Sequence, residues 1–195
     1  MASKAIATAP APARDDFEFD LPAELIAQQP ASERTAARLL QVGPTTLRDG
    51  RVADLLQAFD PGDLLVLNDT RVIKARLHGA KTTGGRVEIL LERALSERHA
   101  LVLLRTSHRP SAGTVLHFFA GTAGASGQRR FAATVRGRQD DLFELEFADP
   151  LDEVLEAAGE IPLPPYIHHA PGAADAQRYQ TVYARTPGAA WNWPT

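Results

Sequence analysis

The chain has 195 residues, 44% of them hydrophobic and 23% charged, which is enough for one full core or two small ones and argues against wholesale disorder. It has no cysteine, which excludes disulfide scaffolds, thiolate metal centres, iron–sulfur clusters and cysteine nucleophiles. The formal net charge of -3 taken alone argues against a nucleic-acid partner. In chain order, the run from Ala5 to Ala13 is broken by Pro10 and Pro12 and followed at once by Asp15, Asp16, Glu18 and Asp20. Residues 1–15 therefore read as a disordered tail rather than an Arg-rich, acid-poor transit peptide.

Pro22 to Gln28 and Val52 to Phe59 are predicted as short helices, the second stopped before Pro61-Gly62. Leu64-Leu65-Val66-Leu67 is a compact apolar run between turn residues and is predicted as a buried strand. Strand-length runs follow at Val72 to Leu77, Gly85 to Leu91, Ala100 to Arg105, Thr114 to Phe119, Phe131 to Val135 and Leu142 to Phe147. Their spacing, with turn clusters such as Thr83-Gly84-Gly85 and Gly121 to Gly127 between them, predicts a small barrel or sandwich. Asp149 as a cap, Pro150 in the first turn and the stripe Leu151, Val154, Leu155 and Ala158 predict a helix that Gly159 ends. Three prolines then hold Ile161 to Ile167 extended. No stretch reaches the roughly 18 apolar residues of a membrane span, so a soluble protein without a membrane partner is expected.

Charge follows the same division. From Thr70 to Arg138 there are 13 basic residues against 3 acids, a local +10, while the remaining 8 basic and 21 acidic residues give -13. A basic module inside an acidic frame points to a polyanion partner, because phosphate neutralisation depends on the local field. The alternative is a solvated sheet face carrying arginines at alternate positions.

Three groups of residues could carry chemistry. Asn68-Asp69-Thr70-Arg71 sets an amide, a carboxylate, a hydroxyl and a guanidinium at the predicted strand end, where α/β proteins assemble sites; alternatively, Asp69 and its neighbours make an Asx-type turn. Glu88 and Glu92 share one strand face, with Leu91 and Arg93 on the other, and read either as an acid/base pair or as structural ion pairs among arginines. Tyr166, Tyr179 and Tyr183, flanking Gln180, could stack on unpaired bases or pack in the core and its rim. His168 and His169 are adjacent and lack a spaced third ligand, so no metal site is expected. Neither a phosphate-cradling glycine pattern nor a nucleophile elbow occurs.

Several linked motifs resemble one family. They are Asp63-Leu-Leu-Val-Leu-Asn68-Asp69-Thr70-Arg71-Val72-Ile73-Lys74-Ala75-Arg76-Leu77, Gly84-Gly85-Arg86-Val87-Glu88, Leu163-Pro164-Pro165-Tyr166-Ile167 and Arg178-Tyr179-Gln180-Thr181-Val182-Tyr183-Ala184 with Pro187-Gly188-Ala189. Phe17 to Pro22, Leu25 to Gln28 and Glu33 to Leu40 are also similar to its opening. The family is the S-adenosylmethionine:tRNA ribosyltransferase-isomerases of queuosine biosynthesis. Lys74 stands where the motif more often has proline, and Ala190 to Thr195, with Trp191 and Trp193, diverge from the family's continuation.

The resemblance implies transfer and isomerisation of the ribosyl part of S-adenosylmethionine onto the 7-aminomethyl-7-deazaguanine wobble base of tRNA, giving epoxyqueuosine and releasing adenine and methionine. S-adenosylmethionine is then a co-substrate, no metal is needed, and the anticodon stem-loop is the partner of a cytoplasmic monomer. The implied fold is α/β with an inserted small all-β barrel, the α/β domain being incomplete in this chain. Residues 16–69 and 149–195 are its expected parts, and residues 70–148 the inserted basic barrel. Asp69 and Glu88 are the expected catalytic groups. Asn68, Thr70, Arg71, Arg76, Tyr166, Tyr179, Gln180 and Tyr183 are the expected substrate-binding residues. The chain is expected to match only the N-terminal half or so of the enzyme, as a truncated or frame-shifted product, and the alternative function is a non-catalytic RNA-binding module or an inactive fragment.

Overall fold

The computed structural model describes residues 12–121 and 129–187. The expected tail up to residue 11, part of the Gly121 to Gly127 turn and the tryptophan-bearing end lie outside the described residues.

Six antiparallel strands close a barrel: β4 (Arg76–Lys81), β5 (Arg86–Ala94), β6 (His99–Thr106), β7 (Val115–Phe119), β8 (Arg130–Gln139) and β9 (Leu142–Phe147). Neighbours run β4-β5-β6-β9-β8-β7, and β7 returns to β4. Alternation with period two fills the interior. Val87, Ile89 and Leu91 point inward from β5, Leu116 and Phe118 from β7, Phe131, Ala133 and Val135 from β8, and Phe143, Leu145 and Phe147 from β9. Phe118, Phe131 and Phe147 are fully buried, each burial stabilising by about 1.5–3 kcal/mol. The barrel closes where Gly79 meets Phe118 and Ala80 meets His117. A Cβ on Gly79 would lie 2.2 Å from the His117 carbonyl oxygen, so this approach requires glycine.

The free edge of β4 is shared. Its second half pairs with β7, and Arg76 and Leu77 pair with β10 (Gly159–Glu160). β10 directly follows helix α1 (Leu151–Ala158), whose Leu151 and Val154 pack into the barrel core. Asp149 does not cap this helix: Pro150 is the N-cap residue, and the Asp149 carboxylate lies 3.6 Å from Arg129. Outside the barrel are a hairpin of β1 (Arg38–Val42) and β2 (Leu47–Arg51), a two-residue strand β3 (Thr70–Arg71), helix α2 (Ala173–Arg178) and strand β11 (Thr186–Pro187). β11 pairs with β3 in parallel, as a long crossover connection permits. The molecule is thus a small antiparallel barrel with α/β elements beside it.

Several expectations need correction. Pro22 to Gln28 forms only a three-residue 3-10 turn at Ala23–Leu25, and Val52 to Phe59 a 3-10 segment at Val52–Gln57. Neither buries a side chain, so tertiary packing does not supply the stability that short isolated helices lack. Leu64 to Leu67 is neither a strand nor buried: Leu64 is 88% and Val66 81% exposed. Among the described residues its apolar content has no ladder to join, because there β3 pairs only with β11 and that pairing starts at Thr70. The run expected from Val72 to Leu77 starts as a strand only at Arg76. A register shift between Leu91 and Arg93 buries Leu91 and exposes Arg93, so these two do not share a face. No described helix is long and apolar enough to cross a membrane.

Candidate functional site

Barrel strand β4 sets Arg76 on the outer face, directly across from Leu90 of β5. Its Nε lies 3.3 Å from Glu88 Oε1, and its Nη2 donates to the Leu163 carbonyl at 3.3 Å. Arg76 Nε is buried and makes no aligned hydrogen bond among the described residues, so its contact with Glu88 is chiefly electrostatic. Both side chains are mostly shielded, at 24% and 33% exposure, which strengthens the attraction relative to a solvated pair.

The Leu163 carbonyl belongs to the extended proline segment, and that segment brings up the aromatic groups. Burial pushes the Tyr179 phenol up to about 12, the neighbouring Tyr166 adds to the rise, and Arg76 opposes it. Tyr179 is therefore a protonated hydrogen-bond donor at neutral pH rather than a base. Tyr166 is exposed along one side. Arg76, Glu88, Tyr166 and Tyr179 thus meet where the barrel wall abuts the 161–180 segment.

Asn68 to Arg71 lies beside this group without joining it. Asn68 Oδ1 accepts from the Thr70 N–H at 2.9 Å, as in an Asx turn. The Asp69 carbonyl accepts from the Arg185 N–H at 2.7 Å, while its carboxylate is exposed and makes no hydrogen bond or ion pair among the described residues. Thr70 and Arg71 form β3, and the Arg71 side chain is exposed. The link to the first group is Gln180, whose Oε1 accepts from the Val72 N–H at 2.9 Å and whose Nε2 donates to the Val72 carbonyl at 2.7 Å. Tyr183 lies apart, in an exposed turn.

The sequence profile of the family described as "Queuosine biosynthesis protein" matches residues 14–195. The chain belongs to the queuosine biosynthesis protein family. Curated relatives of this queuosine-family chain carry the name S-adenosylmethionine:tRNA ribosyltransferase-isomerase. The one from Xanthomonas oryzae is 51% identical over 180 residues, covering 90% of this chain and 48% of the relative. That from Dechloromonas aromatica is 50% identical over 184 residues, covering 90% and 49%. The Ralstonia nicotianae protein is 49% identical over 178 residues, covering 89% and 48%. The chain spans about half the length of the curated relatives it matches. A crystal structure of S-adenosylmethionine tRNA ribosyltransferase from Thermotoga maritima is 31% identical, covers 75% of this chain and 49% of that one, and has a TM-score of 0.35.

In this queuosine-family chain Gln28 joins residues that the sequence named separately or not at all. Gln28 Nε2 donates to the Tyr166 carbonyl at 2.8 Å, and its Oε1 accepts from the His168 N–H at 2.9 Å. His169 Nε2 is 3.2 Å from the Gln28 carbonyl, and its Nδ1 is 3.7 Å from Asp175 Oδ2. Gln28, His169 and Asp175, with Leu163, Ile167, Arg178 and Tyr179, line a small hollow. The sequence signals were Gln28 at the end of the Leu25-Ile-Ala-Gln28 motif, Tyr166 and the adjacent His168 and His169, none of which indicated that they meet. No group of three potential ligands suited to a metal ion occurs among the described residues.

Proposed function

We propose that this chain supplies the barrel and the adjoining site of an S-adenosylmethionine:tRNA ribosyltransferase-isomerase. The observation that carries the reading is the shielded Arg76–Glu88 pair beside Tyr179 and Tyr166, in a chain about half identical to relatives of that name. The substrates are S-adenosylmethionine and a tRNA bearing 7-aminomethyl-7-deazaguanine at the wobble position, and the protein acts as a cytoplasmic monomer without a metal.

The sulfonium of S-adenosylmethionine acidifies the neighbouring sugar C–H, so a positioned base can open the reaction and an acid can assist departure of adenine. The exposed carboxylate of Asp69 is uncommitted and takes the base role. Glu88, held against Arg76, is the second polar catalytic group. Transfer of the sugar to the aminomethyl nitrogen, its isomerisation to the epoxycyclopentanediol and loss of methionine complete the reaction. Tyr179 and Tyr166 offer faces on which an unpaired base can stack, and Tyr183 extends that set. Arg71 and Arg76 bind phosphate or carboxylate. Asn68 and Thr70 shape the loop that presents Asp69, and Gln180 fixes its distance from Tyr179.

The test is adenine release from S-adenosylmethionine in the presence of precursor-bearing tRNA. Release by the chain, lost in Asp69→Asn, supports the assignment, and normal turnover by that variant removes Asp69 from the mechanism. Salt-dependent tRNA binding with no adenine release instead assigns the chain a binding role alone.

A further inference from the structure

The local charge of +10 resolves unevenly over the barrel. Around β8 and β9 three arginines are matched by acids: Arg136 pairs with Glu146, Arg138 with Asp141 at 3.0 Å, and Arg129 with Glu153 at 2.7 Å, while Arg130 at the start of β8 has no carboxylate partner among the described residues. The β4–β5–β6 wall is different. Register sets His78, Glu88 and Arg105 in one row across the three strands, with Arg86 two residues from Glu88 along β5 and across from Ala80. Arg86, Glu88 and Arg105 therefore project from the same outer face, as their exposure beside buried Val87 and Ile89 also shows.

The one carboxylate in this patch, Glu88, is 3.3 Å from Arg76. Arg86 and Arg105 have no carboxylate partner among the described residues, and neither does Arg109 in the loop after β6. That loop is fixed to the patch, because the Lys81 ammonium donates to the His108 carbonyl. Arg86 also borders a groove with Glu156 and Glu160, but Lys74 sits 2.5 Å from Glu156, and Arg86 forms no ion pair with either acid among the described residues. Uncompensated cations thus lead from Arg109, in the loop after β6, past Arg86, one residue beyond the Val87–Thr106 pair, and Arg105, opposite Glu88, towards the Arg76–Tyr179 site.

We infer that this wall is the docking surface for the RNA backbone, with Arg86, Arg105 and Arg109 taking successive phosphates and delivering an unpaired nucleotide to Tyr166 and Tyr179. The inference rests on the tRNA reading given above and adds the surface that reading lacks. Guanidinium groups suit phosphate through paired N–H donors. Each phosphate contact raises the salt dependence of binding by roughly one unit in the slope of log affinity against log salt.

The experiment is fluorescence anisotropy of a labelled anticodon stem-loop RNA titrated with the chain at several sodium chloride concentrations. The Arg86→Ala/Arg105→Ala variant is expected to lose about two units of salt slope, and adding Arg109→Ala about one more. Arg86→Lys/Arg105→Lys keeps the charge and should retain most of the slope, which separates lost charge from lost folding. Arg93→Ala/Arg130→Ala, away from the patch, should leave the slope unchanged. Equal slopes for the wild-type chain and the Arg86/Arg105 alanine variant overturn the surface while leaving the tRNA reading intact. A loss of the same size in the Arg93/Arg130 control also overturns the surface, and an absence of wild-type binding at low salt overturns both readings.

Discussion

The side-chain amide of Gln180 grips both backbone polar groups of Val72, its Nε2 donating to the carbonyl at 2.7 Å and its Oε1 accepting from the N–H at 2.9 Å. Two residues 108 positions apart are joined as neighbouring strands would be, with a side chain standing in for the second strand. The clamp ties the link between β3 and β4 to the segment after α2, and so couples the Asn68 to Arg71 loop to the segment that bears Tyr179. Gln180 therefore positions the loop through both ends of its amide.

Gln180→Ala leaves the Val72 N–H and carbonyl without these partners, and stability should fall by about 1–3 kcal/mol. Thermal denaturation checks the magnitude, and faster amide exchange at Val72 checks the location. Gln180→Glu keeps the acceptor but sets a carboxylate against the Val72 carbonyl, which raises that carboxyl's folded-state pKa above its unfolded value. Its stability should be greatest in acid, where the protonated group can donate, and should decline as pH rises through the folded pKa.

Closure of the barrel makes a prediction at Gly79. A Cβ there would meet the His117 carbonyl oxygen at 2.2 Å and the Phe118 ring at 2.7 Å, and a backbone carbonyl in a paired strand cannot swing aside. Gly79→Ala should destabilise by about 1–3 kcal/mol or more, as overpacking does. Gly137→Ala is the control, because nothing lies within 4 Å of the place its added methyl group would take, and its effect should stay within about 0.5 kcal/mol. Equal urea midpoints for the two variants would show that β4 and β7 are not held at this distance.

The barrel was the part most legible from the sequence, and the reason is physical. Alternation such as Val87, Ile89, Leu91 or Phe143, Leu145, Phe147 encodes a two-faced strand locally, so most of the six strand positions could be read within a few residues. The helix from Leu151 to Ala158 was equally plain, because its stripe has the helical period. What could not be read is what depends on partners distant in sequence. Leu64 to Leu67 is apolar enough for a buried strand, yet burial requires neighbours that no local pattern specifies. The same holds for the site: residue types nominated Glu88 and Tyr179 and the family resemblance added Arg76, but their meeting depends on the Leu163 carbonyl and the Gln28 anchor, which tie the proline segment to the wall. The β1–β2 hairpin was missed because Arg38-Leu-Leu-Gln-Val42 and Leu47-Arg-Asp-Gly-Arg51 do not alternate apolar with polar residues and bury no side chain fully.

Tyr179 should give a late step in an alkaline titration. Burial pushes its phenol from the ordinary 10.0 up to about 12, so the unfolded chain loses this proton first. Between those values the folded state binds more protons than the unfolded one, and stability falls as pH rises from 10 towards 12. Ultraviolet difference absorbance should show a phenolate step near pH 12 that disappears in Tyr179→Phe, and the alkaline loss of stability should shrink in the same variant. Ionisation of all three tyrosines in one step near pH 10 would show that Tyr179 is not sheltered by the 161–180 segment.

Leu64 and Val66 provide the sharpest contrast between apolar composition and actual environment. A leucine buried in a central strand costs about 2–5 kcal/mol when truncated, and a lysine there would cost more through desolvation of its charge. At 88% and 81% exposure neither cost arises, so Leu64→Lys and Val66→Lys should each change stability by no more than about 0.5 kcal/mol. The same substitutions break up a contiguous apolar surface formed with Leu65 and Leu67, both at least half exposed. They should therefore lower binding of a hydrophobic dye and reduce self-association seen by light scattering. A loss of several kcal/mol in Leu64→Lys would mean instead that this run is covered in solution by a surface absent from the described residues.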